Sequence, residues 1–131
     1  MEPLRTTDPT QIDFKKKFDL SEKVIIITGA CGLIGRAFCE AAAQFGAHVI
    51  AADIPQANPE TFAEDLSKRF DRKMMGVSIN VTSKSEIIEL KNKALAEFGK
   101  IDGLVCGHQN KSHLIFEPFE DVCEDNWDTV M

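Results

Sequence analysis

Two hydrophobic periods alternate along this chain, and the alternation leaves few folds open to it. Val24 to Thr28 is an unbroken apolar run, VIIIT, that stops at Gly29. Ile34, Ala37, Phe38, Ala41, Ala42 and Phe45 then recur at three- and four-residue spacing, one face of a helix closed by Gly46. His48 to Asp53 is a second apolar strand. Asn58-Pro59 reads as an N-cap with proline in the first turn, opening a helix whose Phe62, Leu66 and Phe70 share a side. Met74 to Ile79 forms a third strand, and Ser83-Lys84-Ser85-Glu86 is a capping box. Ile87, Leu90, Lys91, Ala94, Leu95 and Phe98 follow at helical spacing until Gly99, with the Lys91 stem covering the edge of the stripe. Ile101 to Cys106 is the fourth strand, and an acidic helix begins near Cys123. Strands that are apolar on both faces and joined through helices require right-handed crossovers. The expected fold is therefore α/β, a doubly wound parallel sheet.

The loop between the first strand and the first helix is Thr28-Gly29-Ala30-Cys31-Gly32-Leu33-Ile34-Gly35. Gly29 permits a tight turn, Gly32 leaves room for a pyrophosphate to approach the backbone, and Gly35 allows close packing of helix on strand. The helix start adds unpaired N–H groups and a positive dipole end, which together bind anions. A glycine triplet alone is weak evidence, but this one follows a strand, opens a helix and has Asp53 at the end of the second strand. A carboxylate there accepts hydrogen bonds from both ribose hydroxyls of a dinucleotide. It repels a 2′-phosphate by roughly 4 kcal/mol per unit charge at about 4 Å and an effective dielectric near ~20. The next residue, Ile54, is no base that would offset the repulsion, so NAD is expected over NADP.

Composition excludes other classes. The net charge is −6, and such acidity argues against nucleic-acid binding, which needs clustered Lys and Arg. No apolar run approaches the roughly 18 residues that span a bilayer, so no membrane partner is expected. The first twenty residues lack the apolar core of a secretory signal. Residues 1–17 are expected to be a loosely ordered arm whose Lys15, Lys16 and Lys17 are solvated, and residues 18–131 a single partial domain. Cys31, Cys39, Cys106 and Cys123 make no C-x-x-C pair, and with His48, His108 and His113 they show no metal-ligand spacing. Cys39 and Cys106 fall in apolar elements, where a free cysteine behaves as a small hydrophobe. A reduced, cytoplasmic protein without a metal is the simplest account. His108 and His113 read as solvated loop residues with no partner. The acids from Glu117 to Asp128 read as a solvated helix start.

Several segments carry a resemblance: TGACGLIG, the strand-ending Asp53, Asn80-Val81-Thr82, Phe98-Gly99-Lys100-Ile101-Asp102 and Trp127-Asp128-Thr129-Val130-Met131. In this order and at these separations they resemble the short-chain dehydrogenase/reductase family from about Phe18 to Met131. The resemblance implies a Rossmann-type fold and hydride transfer between a nicotinamide cofactor and an alcohol or carbonyl carbon. It places Gly29, Gly32, Ile34 and Gly35 along the pyrophosphate, and Asp53 and Ile54 at the adenosine ribose. It sets Asn80 and Val81 beside the adenine, and Cys106 and Gly107 beneath the adenosine side. Three departures stand out. The glycine spacing is closer to the family's extended branch. Asn80 replaces an Asp, which keeps an acceptor, adds a donor and removes a charge. Cys106-Gly107-His108-Gln109 stands where the family has Asn-Asn-Ala-Gly, so the hydrogen bonds of those asparagines around the fourth strand are expected to be lost.

The family's proton donor is a tyrosine assisted by a lysine, with a serine and an asparagine; this sequence has no tyrosine. No residue is therefore expected to be catalytic. The 131 residues are expected to be the cofactor-binding part of a longer NAD-dependent oxidoreductase, the sheet stopping after about four strands. The alternative is a short chain acting as a non-catalytic nucleotide-binding or interaction module. Under either reading the fourth strand of this chain is expected to keep an open edge, and self-association is expected through it. For a full-length parent the resemblance implies a homo-oligomer.

Overall fold

A computed structural model describes residues 13–109 and 118–130, and the sheet it contains has four parallel strands in the order β3-β2-β1-β4. Their ranges are β1 Val24–Thr28, β2 His48–Asp53, β3 Met74–Ser78 and β4 Gly103–Cys106. The helices are α1 Phe14–Lys17, α2 Leu33–Gln44, α3 Pro59–Phe70, α4 Lys84–Phe98 and α5 Glu124–Val130. β1 pairs with β2 from Val24↔His48 to Thr28↔Ala52 and with β4 from Ile25↔Gly103 to Thr28↔Cys106, so the carboxyl ends of the strands are level. The first two crossovers run from β1 outward to β3, and the third returns past β1 to β4. Right-handedness then puts α2 and α3 on one face and α4 on the other. The α/β doubly wound expectation is met.

Each face has its own core. Ile27, Val49 and Ala51 pack with Cys39 and Ala42 of α2 and with Phe62, Ala63 and Leu66 of α3. On the other face Val24, Ile26, Ile50, Ala52 and Val77 pack with Leu90 and Ala94 of α4. Ile27, Ile50 and Leu66 are fully enclosed, and burying each contributes roughly 1.5–3 kcal/mol.

Some local expectations change. The buried side of α2 is Gly35, Cys39, Ala42 and Ala43, whereas Ile34, Ala37, Phe38, Ala41 and Phe45 are exposed. Small residues let this helix lie close to the sheet, and the larger ones are displaced to its flank. Asn58 stands at the α3 N-cap in a left-handed conformation, but its side chain makes no cap bond. Ser83 Oγ accepts the Glu86 N–H at 3.4 Å, while the Glu86 carboxylate takes the Asn80 N–H at 2.7 Å instead of returning to Ser83. β4 begins at Gly103, two residues later than the apolar run. Residues 14–17 form one helical turn in which the three lysines are exposed. Residues 1–12 and His113 lie outside the described residues.

Candidate functional site

The ten residues singled out in the sequence gather at the carboxyl ends of the strands, beside the point where the crossovers change face between β1 and β4. In open α/β sheets ligands bind at that switch point. Thr28 closes β1, and Gly29 turns the chain with φ +65°. A Cβ on Gly29 would stand 2.6 Å from Gly107 O, and one on Gly35 would stand 2.0 Å from Gly29 O. The protein's own backbone therefore excludes side chains at both positions.

Gly32 is different. Its φ of −72° suits any residue, and a Cβ there would meet only Gly29 O, at 3.4 Å. The fold does not require glycine at this position, and the space a side chain would occupy is open. Gly32 is also the N-cap of α2, with no side-chain cap bond. The first helical bond runs from Arg36 N–H to Gly32 O. Among the described residues the N–H groups of Leu33, Ile34 and Gly35 have no acceptor, as expected of an anion-binding helix start.

Asp53 lies across this loop. Its Oδ2 accepts the Cys31 N–H at 2.8 Å, and its Oδ1 accepts the Ile54 N–H at 2.8 Å. Each oxygen keeps a further lone pair for an outside hydroxyl. Ala30 N–H adds a bond to Ala52 O at 3.3 Å, so the glycine loop is tied to the end of β2. Burial pushes the Cys31 thiol up, and the Asp53 charge pushes it further the same way, so it stays protonated at neutral pH.

Ile79 N–H donates to Asp53 O at 2.8 Å, which brings the end of β3 alongside. There Asn80 Oδ1 accepts both the N–H and the hydroxyl of Thr82, at 3.0 and 2.8 Å. The acceptor of Asn80 is thus used locally, and its side-chain amide donor is what remains for a ligand. Ile54 is exposed and Val81 half-buried. Cys106 is exposed rather than packed.

Sequence reasoning missed one pairing. His108 does have a partner: its Nδ1 lies 2.7 Å from Thr28 Oγ1, and Gly107 N–H donates to Thr28 O at 3.1 Å. The loop after β4 is hydrogen-bonded to β1 although the asparagines are absent. The two residues are 80 apart in the chain, and a hydroxyl at a strand end was the only available hint.

Chemically, the uncapped helix start, the open space at Gly32 and the Asp53 carboxylate fit a phosphate flanked by a ribose diol. A nicotinamide dinucleotide contains both groups. The short chain dehydrogenase family model matches residues 23–131. The NAD-dependent glycerol dehydrogenase of Listeria innocua is 28% identical over 118 residues, covering 90% of this chain and 44% of that protein. The 3-oxoacyl-acyl-carrier-protein reductase of Thermotoga maritima is 33% identical over 114 residues, covering 86% and 44%. Among solved structures, the NADPH-dependent 3-quinuclidinone reductase of Rhodotorula rubra superposes with a TM-score of 0.69 at 27% identity, covering 92% of this chain and 46% of that one. The chain thus spans less than half the length of these relatives. No helix among the described residues is long and apolar enough to cross a membrane.

Proposed function

This chain belongs to the short-chain dehydrogenase family, and from that membership we propose that it is the cofactor-binding portion of an oxidoreductase that uses NAD in preference to NADP. The reaction class is hydride transfer at an alcohol or carbonyl carbon, and the bound nicotinamide supplies or accepts the hydride. Gly29, Gly32, Ile34 and Gly35 receive the pyrophosphate through backbone N–H groups, and Asp53 and Ile54 border the adenosine ribose. Asn80 and Val81 border the adenine, and Cys106 and Gly107 lie beneath the adenosine side. The observation that carries the reading is the side-chain-free space at Gly32, in front of an uncapped helix start and beside the Asp53 carboxylate. With no tyrosine to move a proton, these 131 residues bind without turning over. We place the protein in the cytoplasm and expect it to associate with itself through β4.

Calorimetry with NAD and NADP tests the proposal. NAD is expected to bind weakly and NADP at least about tenfold more weakly, given the charge repulsion at Asp53. Asp53→Asn removes the charge and keeps the acceptor for Cys31 N–H at the cost of the exposed bond from Ile54 N–H, so it is expected to narrow that ratio while the loop holds. Asp53→Ala confounds the two effects. An unchanged ratio removes Asp53 from cofactor choice, and failure of both dinucleotides to bind refutes the reading as a whole. NADH formation from simple alcohols by this chain alone would refute the absence of turnover.

A further inference from the structure

Thr28 is 6% exposed, yet its hydroxyl reaches a ring that lies in solvent at the mouth of the site. Two acceptors are in range of that hydroxyl: His108 Nδ1 at 2.7 Å and Val105 O at 3.4 Å. Either Thr28 donates to Nδ1 and the imidazole carries its proton on Nε2, or Nδ1–H donates to Oγ1 and the hydroxyl serves Val105 O. The same few atoms crowd the glycine turn, since a Cβ on Gly29 would stand 2.8 Å from His108 Cα. Beyond Cys106 the β1–β4 ladder has ended, and Gly107 N–H to Thr28 O is the one backbone bond among the described residues that holds the next loop down.

We propose that His108 is a positioning residue for the dinucleotide site. Its Nδ1 accepts the Thr28 hydroxyl, clamps the loop after β4 onto the Gly29 turn, and so fixes the turn that receives the pyrophosphate. The effect on affinity rests on the function proposed above; the clamp itself does not. Loss of one neutral hydrogen bond of this kind is expected to weaken dinucleotide binding roughly five- to tenfold.

The test uses the full chain labelled with ¹⁵N, and the variants His108→Ala, His108→Asn, Thr28→Val and the Ala/Val double variant. Asparagine places Oδ1 where the imidazole has Nδ1, so it keeps the acceptor and discards the rest of the ring. Ring nitrogen shifts of the ligand-free protein are expected to show an Nε2–H tautomer. His108→Ala and Thr28→Val are each expected to speed amide exchange at Ala30, Cys31 and Gly107. Each should also weaken NAD binding, and the double variant should bind no worse than either single. His108→Asn is expected to stay within about twofold of the unmodified chain. An Nδ1–H ring, unchanged exchange in His108→Ala, or His108→Asn as weak as His108→Ala would each overturn the proposal. If the ring and exchange results hold but neither NAD nor NADP binds, the clamp is supported and the function reading is refuted.

Discussion

At the scale of single residues, the three glycines of the loop look alike in the sequence and have different duties. Gly35 is fixed by packing: a methyl group there would lie 2.0 Å from Gly29 O, and backbone cannot move aside as a flexible side chain can. Gly32 has ordinary dihedral angles and open space before it. Gly35→Ala is therefore expected to destabilise the chain by about 1–3 kcal/mol through overpacking. Gly32→Ala is expected to leave stability within about 0.5 kcal/mol. It should nevertheless cost most of the NAD affinity, because its methyl group would occupy the space proposed for the pyrophosphate. Thermal denaturation and calorimetry on the pair separate the two duties. A Gly32→Ala chain that melts early, or that binds NAD as well as the parent, would show that the open space is not a ligand's.

At the scale of elements, the sequence pattern identified every strand and long helix but misjudged how some of them face. The period of α2 was legible; its buried side was not. Hydrophobicity favours Ile34, Phe38 and Phe45, yet the helix lies close to β1 and β2, and only Gly35, Cys39, Ala42 and Ala43 fit beneath it. Burial pushes the Cys39 thiol up to about 12, which marks it as part of that contact and not as a nucleophile. The four strand positions were legible because β-branched runs ending at a turn have little alternative. The bond from Cys31 N–H to Asp53 was not, since it depends on how segments meet in space. Asp102 is a similar case. Its Oδ2 accepts the Val24 N–H at 2.9 Å and it pairs with Lys100 at 3.0 Å, joining the approach to β4 to the start of β1. The Val24 hydrogen bond and then that of Lys100 hold its carboxyl below the ordinary 3.8. A pKa depressed by folding stabilises the folded chain above the unfolded value, and the contribution is lost as pH falls through the folded one. Asp102→Asn is therefore expected to lower the melting temperature at pH 7. The gap between variant and parent should close as the pH is taken from about 4 downward. A gap that persists in acid would show that the charge of Asp102 is not what ties the strands.

At the scale of the whole molecule, two surfaces stay exposed among the described residues, the outer edge of β4 and one flank of α2, and their geometry decides how copies can meet. β4 pairs only with β1 among the described residues, and Leu104 on its α4 face is 61% exposed. On the other face, α2 turns one flank to α3: Arg36 lies 4.5 Å over the Phe62 ring, and Arg69 pairs with Glu40 at 2.8 Å. The opposite flank exposes Ile34 and Phe38, while Phe45 at its end meets the Phe18 ring that follows α1 at 6.3 Å. A second copy can add its β4 to the open edge as an antiparallel strand. The two β1 strands would then be three strand spacings apart, about 14 Å. Because α2 packs on both β1 and β2, the two α2 axes would be farther apart still, beyond the roughly 8–10 Å at which helices pack. Edge pairing therefore cannot cover the α2 flanks, and they remain free to bind again. Sedimentation is expected to show mass increasing with concentration past the dimer. Leu104→Lys, an edge charge of the kind that blocks strand addition, is expected to remove the edge-paired species. Phe38→Ser is expected to stop growth at the dimer. A single monomer boundary at all concentrations would refute both contacts. Growth unaffected by Leu104→Lys would mean that the helix flank, not the sheet edge, is where copies first meet.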